Sequence, residues 1–167
     1  MAGSVGTVKA PATALLSAGC ALALAACGQG SGEFTGRVER VVDGDTIIVS
    51  APGGSERVRY IGIDTPESVA PGRPVECFGP QASAANRRLV AGREVKVVPG
   101  AEERDRYGRL LAYVYTDDGR SFVNARLVRS GAADTLAIEP NTRYAGELAA
   151  LRRKAQAEGA GLWGACR

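Results

Sequence analysis

Residues 37–63, RVERVVDGDTIIVSAPGGSERVRYIGI, decide the fold of this chain. Residues 37–42 alternate in polarity as a half-buried strand does, and the following Asp43-Gly44-Asp45 is typical of a hairpin turn. The β-branched stretch after it indicates the returning strand, and the Pro-Gly-Gly segment turns the chain again. The stretch therefore predicts a three-stranded meander, with strands at 37–42, 46–49 and 56–63.

The rest of the chain is predicted to add two strands and three helices. Pro80 favours the first turn of a helix, and Gly131 favours the end of one. The strands are expected at 94–98 and 110–115, the helices at 81–89, 123–130 and 144–158, and loops at 65–79 and 100–109. Trp163 is expected to anchor the end of the chain in the core. Five strands with three helices fit a Greek-key barrel, so we expect an α+β OB-fold over residues 33–167.

The composition restricts the chemistry that the chain can perform. It has 167 residues, 21 Lys and Arg, 18 Asp and Glu, and no His. The absence of His excludes Ser-His-Asp triads, Cys-His pairs and His-ligated zinc. Catalysis must therefore rest on carboxylates, Arg, Tyr, Lys or a metal held by oxygen. The net charge of +3 is small, so affinity for nucleic acid would depend on the local placement of charge.

The N-terminal segment is predicted to be an export signal. Residues 1–26 hold one charged residue, Lys9, and an apolar run that is shorter than the ~20 residues of a membrane span. Residues 24–27, Leu-Ala-Ala-Cys, resemble the bacterial lipobox, so Cys27 is predicted to carry a lipid that anchors the protein to the membrane. The alternative is a secreted protein cut near Ala26 without lipidation. Residues 27–32 are expected to be a flexible tether.

Export has a consequence for the remaining cysteines. An exported protein meets an oxidising compartment, where paired cysteines usually form disulfides. Cys77 precedes the first predicted helix, and Cys166 lies at the C-terminus. We therefore predict a Cys77–Cys166 disulfide, and the alternative is two free thiols.

Charged residues concentrate at the ends of the meander strands. In a continuous strand Arg59 would share a face with Ile61 and Ile63, and because burying an unpaired charge is costly, Arg59 is expected to open onto a site. Asp45 and Asp64, on neighbouring strand ends, would form an oxygen-donor site that suits Ca²⁺ together with backbone carbonyls and waters.

These groups together indicate a reaction. Arg59 and Arg109 offer two planar forks that match a phosphate, and Glu67 offers an acid or base. A metal, a phosphate clamp and a base favour metal-assisted phosphodiester hydrolysis. Taken singly, Asp45 could be a turn former, Glu67 a surface acid and Arg109 a solvated turn residue.

The chain resembles the staphylococcal (micrococcal) thermonuclease family. The resemblance rests on five segments in order, covering most of residues 34–164: DGDT at 43–46, R-x4-DTPE at 59–67, FGPQA at 78–82, D-x-YGR at 105–109 and GLW at 161–163. It implies a five-stranded OB barrel with three helices. It also implies a Ca²⁺-dependent endonuclease that acts on DNA and RNA and leaves 3′-phosphate ends.

The resemblance also implies a role for each matched residue. Asp45, Asp64 and the backbone carbonyl of Thr65 would ligate Ca²⁺, Glu67 would act as general base or orient the water, and Arg59 and Arg109 would bind the scissile phosphate. Tyr107 and Arg73 would contact the substrate. The chain departs from the family at 136–139, Leu-Ala-Ile-Glu, where tyrosines precede the matching proline; Tyr144 could replace part of their stacking. We expect a monomer without a protein partner. The alternative is a non-catalytic OB module that binds nucleic acid or protein.

Overall fold

The computed structural model describes residues 1–3, 32–68, 72 and 74–166. The predicted signal segment beyond residue 3, most of the tether, the predicted lipidation site Cys27 and the predicted substrate contact Arg73 lie outside these ranges. Among the described residues, none of the helices has the length and apolar character needed to span a membrane.

The described chain forms eight strands and four helices. In order they are β1 (Phe34–Asp43), β2 (Thr46–Ala51), β3 (Gly54–Tyr60), β4 (Gly62–Asp64), α1 (Gly79–Val90), β5 (Glu94–Arg104), β6 (Leu110–Thr116), β7 (Ser121–Phe122), α2 (Val123–Arg129), β8 (Asp134–Leu136), α3 (Ala145–Ala157) and α4 (Leu162–Ala165).

Five of the strands close into a barrel. The sheet order is β3-β2-β1-β5-β6-β7, and the parallel pairing of β3 with β6 joins its two sides. The pairs β1–β2, β2–β3, β1–β5 and β5–β6 are antiparallel. The predicted α+β architecture, a five-stranded OB-type barrel with three helices, is therefore confirmed, with α4 as an additional single turn.

The barrel interior holds the apolar residues of the alternating strands. Ile47 and Val49 of β2 are fully buried, whereas Ile48 between them faces outward and is half-buried. Each fully buried aliphatic side chain contributes about 1.5–3 kcal/mol relative to an exposed one. Helices α2 and α3 cover one side of the barrel with Leu127 and Leu148, both buried.

The third predicted strand is shorter than expected. β3 ends at Tyr60, and Gly62 has φ +79°, a conformation that glycine adopts without strain. The chain then turns into β4, which pairs with β8, a strand that the sequence analysis did not predict. Because the strand is interrupted, the expected shared face of Arg59 and Ile61 was wrong: Tyr60 and Ile61 are both buried, and Arg59 lies on the outer face.

Two further expectations need correction. Residues 100–104 extend β5 instead of forming a loop, and the register between β5 and β6 shifts between Pro99 and Arg104. Trp163 is half-buried and is not a core residue, since its ring lies 5.1 Å from the guanidinium of Arg152 near the surface.

The predicted disulfide is present. Cys77 is bonded to Cys166 with their Cα atoms 5.9 Å apart. It joins the segment that precedes α1 to the C-terminal end of the described chain.

Candidate active site

Two carboxylates converge on one arginine. Asp45 lies in the turn between β1 and β2, Arg59 near the end of β3, and Asp64 at the end of β4. One terminal nitrogen of Arg59, Nη2, lies 3.2 Å from Asp45 Oδ2 and 2.7 Å from Asp64 Oδ1. The Asp45 side chain is 8% exposed and that of Asp64 is 60% exposed, so the pair runs from the interior to the solvent.

The other terminal nitrogen of Arg59 fixes the guanidinium to the backbone. Nη1 donates to the carbonyl of Tyr60 at 2.9 Å and to that of Ile63 at 2.8 Å. Arg59 therefore links the end of β3, the middle of β4 and both carboxylates. A Lys side chain has a single nitrogen and lacks this planar fork.

Thr65 orients the buried Asp45. Its backbone amide and its hydroxyl both donate to Asp45 Oδ2, at 3.0 and 2.9 Å. Thr46 donates to the other oxygen at 3.0 Å. The approach of the two segments depends on Gly44, because a Cβ there would lie 2.6–2.8 Å from the Thr65 side chain. These contacts explain why the DGDT and DTPE segments occur together.

A chain of buried hydrogen bonds also holds the turn between β1 and β2. The Tyr60 hydroxyl donates to Asn86 Oδ1 at 3.0 Å, and Asn86 Nδ2 donates to the carbonyl of Asp43 at 2.9 Å. Both side chains are almost fully buried, and burial raises the pKa of Tyr60 far above its usual value. Because buried polar groups are costly unless paired, this chain fixes the turn relative to α1.

An open cavity of about 320 Å³ lies beside the arginine. Arg59, Arg109 and Tyr107 line it together, so the structure brings these three predicted residues to one place. Aliphatic residues also line the cavity, and two of them, Leu136 and Ile138, are 41% and 59% exposed. The cavity thus combines cationic donors with an apolar wall, as expected of a site that takes a phosphate and a flat organic group.

Asp105 orients Arg109 at the cavity rim. Arg109 Nε donates to Asp105 Oδ2 at 2.6 Å, while the amides of Tyr107 and Arg109 donate to Oδ1 at 2.9 and 3.0 Å. Burial alone would raise the pKa of Asp105, but these hydrogen bonds and the charge of Arg109 outweigh burial and hold it below its ordinary value. The Tyr107 ring is 67% exposed and lies 5.4 Å from the Arg109 guanidinium.

Glu67 lies on the side of the site formed by the β1–β2 turn. It is half-buried, it does not line the cavity, and its charge is one of the groups that raise the pKa of Asp43, after burial and the nearer Asp45. The backbone amide of Glu67 donates to Glu76 Oε2 at 3.0 Å, and the amide of Ser68 donates to Glu67 Oε1 at 3.0 Å. The structure therefore places Glu67 near the turn that carries Asp43 and Asp45.

The donor set fits a hard cation. Burial raises the pKa of Asp64, the neighbouring carboxylates of Asp45, Glu76 and Asp134 raise it further, and Arg59 opposes them. An added cation would relieve this repulsion, and oxygen donors are what Ca²⁺ prefers. Within the described residues, no group of three or more His, Cys, Asp or Glu side chains is arranged to hold a metal ion. The two aspartates would therefore need backbone oxygens and water to complete a cation site.

Several residues of the site were not assigned a role from the sequence. Asp105 had a usable signal, because it stands four residues before Arg109 in a charged motif. Asn86 and Glu76 had none, since a helix residue and a loop acid of these types are common on surfaces. Tyr144, considered as a stacking residue, instead packs 4.7 Å from the Tyr113 ring and lies outside the cavity lining.

Comparisons with known proteins identify the family of this chain. The family described as "Staphylococcal nuclease homologue" matches residues 57–165. A thermonuclease from Staphylococcus hyicus is 38% identical over 131 residues, which cover 78% of this chain and 76% of the relative. Endonuclease YncB from Bacillus subtilis is 38% identical over 128 residues, covering 75% and 60%, and the prophage-derived endonuclease YokF from the same organism is 40% identical over 128 residues, covering 75% and 43%. The chain belongs to the staphylococcal nuclease family.

Proposed function

We propose that this protein is a Ca²⁺-dependent endonuclease that hydrolyses phosphodiester bonds of DNA and RNA and leaves 3′-phosphate ends. Relatives that span most of this domain are named thermonuclease and endonuclease, which supports the proposal. The observation that carries it is the bridge from Arg59 to Asp45 and Asp64 beside a cavity that also contains Arg109.

Arg59 and Arg109 bind the scissile phosphate in this proposal. Both guanidinium groups line the cavity, and a planar fork can donate two hydrogen bonds to a phosphate. Asp105 holds Arg109 in place before substrate arrives. Donors that are oriented in advance cost no reorganisation as negative charge grows on the phosphate, so they stabilise the transition state more than the ground state.

Glu67 accepts a proton from the attacking water, or orients that water. It lies at the junction of the strand end and the loop, next to the turn that carries Asp45. The Glu76 carboxylate accepts a hydrogen bond from the Glu67 amide, and this contact fixes the backbone position from which the Glu67 side chain extends. Proton transfer by a positioned carboxylate is typically worth about 10²–10⁴-fold in rate.

Asp45, Asp64 and the Thr65 carbonyl are the proposed ligands of Ca²⁺, which when bound would supply positive charge next to the phosphate. Thr65 already orients Asp45, so the ligand oxygens belong to one rigid unit. Tyr107 is proposed to contact a base, with Leu136 and Ile138 as the apolar wall that faces it. Arg73 is proposed as a further substrate contact, on the resemblance alone. Cys27 lipidation, export and a monomeric state also remain proposals.

The competing function is a non-catalytic OB module. A degenerate module would be expected to have lost at least one residue of the catalytic set, whereas Arg59, Glu67, Arg109 and both aspartates are retained. The deciding experiment incubates the purified protein with DNA and with RNA, with Ca²⁺ and with excess chelator. If the protein cleaves both DNA and RNA only when Ca²⁺ is present, the nuclease function is supported. If it binds nucleic acid but cleaves neither substrate, with Ca²⁺ or with chelator, the non-catalytic module is supported.

A further inference from the structure

A row of outward-facing residues crosses the barrel beside the proposed active site. Arg40 of β1 is paired with Ile48 of β2, and Ile48 is paired with Arg57 of β3. Directly paired residues in a sheet project from the same face. Ile48 faces outward, between two fully buried neighbours, so both arginines lie on the outer face with it, and both are exposed.

A helix adds a third arginine. Arg87 stands in the last turn of α1 and is exposed. It lines a surface cleft of about 250 Å³ together with Arg40. We call Arg40, Arg57 and Arg87 the arginine ridge.

The ridge carries an excess of positive charge among the described residues. Arg104, Arg129 and others on the surface form ion pairs, but within residues 32–68 and 74–166 no ion pair involves a ridge residue. One acid, Glu39, lines the same cleft and keeps its charge, because its partner Ser55, which donates to it at 2.7 Å, is neutral. Three arginines against one carboxylate leave an excess of positive charge, a feature that attracts an anionic partner.

The ridge is continuous with the proposed active site. Arg57 and Arg59 lie two residues apart on the same face of β3, so their Cα atoms are separated by roughly 7 Å. Arg40 lies two strands away from Arg57, or roughly 10 Å across the sheet. A polynucleotide strand whose phosphate lies at Arg59 would therefore pass its next phosphates over the ridge.

We propose that the arginine ridge binds the phosphate backbone of a single polynucleotide strand beyond the scissile position. The proposal rests on the proposed nuclease function, because it names the second contact of the same substrate. The ridge contacts phosphates and not bases, so it would add affinity for long strands of any sequence and nothing to the cleavage of a dinucleotide.

The test compares two charge-matched triple variants. The ridge variant is Arg40→Gln/Arg57→Gln/Arg87→Gln. The control is Arg126→Gln/Arg153→Gln/Lys154→Gln, which removes the same charge from exposed positions of α2 and α3. Affinity for oligodeoxythymidylate of about 30 nucleotides, longer than the ~4–16 that one OB-fold covers, is measured against salt in a Glu67→Gln background. Cleavage of a dinucleotide and of the long strand is measured with Glu67 intact.

The ridge variant should lower the slope of log affinity against log salt by about 2, since each neutralised phosphate of a single strand contributes about 0.7. The control should keep the wild-type slope, and all three proteins should cleave the dinucleotide equally. Equal slopes for the two triple variants would overturn the ridge. So would an unchanged DNA slope accompanied by lost binding to anionic phospholipid vesicles, which would assign the ridge to a membrane. A ridge-dependent slope in a protein that cleaves neither substrate would support the ridge and contradict the proposed nuclease activity.

Discussion

Glu67 and Glu76 fix each other at the two ends of the loop that precedes α1. The amide of Glu67 donates to the Glu76 carboxylate at 3.0 Å, and the amide of Glu76 donates to the Glu67 carbonyl at 2.9 Å. The next residue, Cys77, is tied to the C-terminus by its disulfide. These backbone contacts therefore set the position of the proposed catalytic base.

Replacing Glu67 by Gln should separate catalysis from folding. Gln keeps the size of the side chain and the backbone contacts with Glu76, but it cannot accept a proton as a carboxylate does. We expect turnover to fall by about 10²–10⁴-fold and the thermal unfolding midpoint to stay close to the wild-type value. Glu147→Gln, at an exposed position of α3, is the matched control and should change neither quantity. Wild-type turnover in Glu67→Gln would contradict the assignment.

Replacement by Lys should affect stability differently at Arg59 and at Arg109. Arg59→Lys keeps the charge, but one nitrogen cannot serve two carbonyls and two carboxylates, so it should lower both kcat/KM and the free energy of unfolding. Arg109→Lys alters one partly buried pair but keeps a charge for Asp105 to attract, so it should lower kcat/KM with a smaller loss of stability than Arg59→Lys. We expect a loss of about 10²-fold or more in each case. Near-normal rates in both variants would mean that charge alone is sufficient.

The sequence predicted the barrel well because its signals are local. β-branched residues, turn dipeptides and the alternation of residues 37–49 each specify their own segment, and the paired strands follow from them. The predictions failed where contacts between distant segments determine the local structure. The break after Tyr60 depends on Gly62, where an added Cβ would lie 2.7 Å from Leu148 of α3, and no local pattern reveals that neighbour.

The sequence predicted the charged residues of the candidate site but not the buried residues that hold them in position. Asp45, Arg59 and Asp64 meet as expected, although Asp64 ends β4, which pairs with β8 in a second, two-stranded sheet. The buried pair of Tyr60 and Asn86 was not predicted, since a polar residue in an amphipathic helix does not show whether it faces solvent or core. The aliphatic wall of the cavity depends on which short strands pair, and that pairing is a property of the closed fold.

Calcium should bind measurably apart from catalysis. Chelation is expected to abolish activity, and Mg²⁺ should support less, because it requires tighter octahedral geometry. With only two carboxylates in the proposed ligand set, we expect a Kd of about 10⁻⁴–10⁻³ M, within the range of extracellular calcium modules. Calcium at 100 times Kd should then stabilise the fold by about 2.7 kcal/mol, and Asp64→Asn should reduce that gain. Full activity in excess chelator, or an unfolding midpoint that does not change when Ca²⁺ is added, would contradict the metal site.

The disulfide should contribute to stability through the unfolded chain. Cys77 and Cys166 are 89 residues apart, so the chain-entropy model assigns their bond about 4–5 kcal/mol, an upper value. Cys77→Ser/Cys166→Ser should lower the free energy of unfolding by several kcal/mol without removing the catalytic groups. Reduced wild-type protein should match the double variant, and reduction should not affect the variant. An equal stability of oxidised and reduced wild type would contradict the prediction.

Asp105 should make stability depend on pH in a defined direction. Its folded pKa lies below the ordinary value of about 3.9, because Arg109 and two backbone amides favour the charged form over the cost of burial. A carboxyl with a lowered folded pKa stabilises the fold above its unfolded pKa, and that stabilisation is lost as the pH falls through the folded pKa. Asp105→Asn should therefore cost about 1–3 kcal/mol at neutral pH, where the side chain is charged and partly buried.

The same cost should shrink as the pH falls below about 4, because Asp105 takes up a proton there in the unfolded chain and, at its lower pKa, in the folded protein as well. Denaturant unfolding of both proteins between pH 7 and pH 3 measures this difference directly. Asp118→Asn is the control, because that side chain is 98% exposed and Asn tolerates its φ of +56°. It should show no difference at any pH. A penalty for Asp105→Asn that is the same at pH 7 and pH 3 would mean that the charge on Asp105 does not hold Arg109 in place, and that the arginine is positioned by the backbone turn alone.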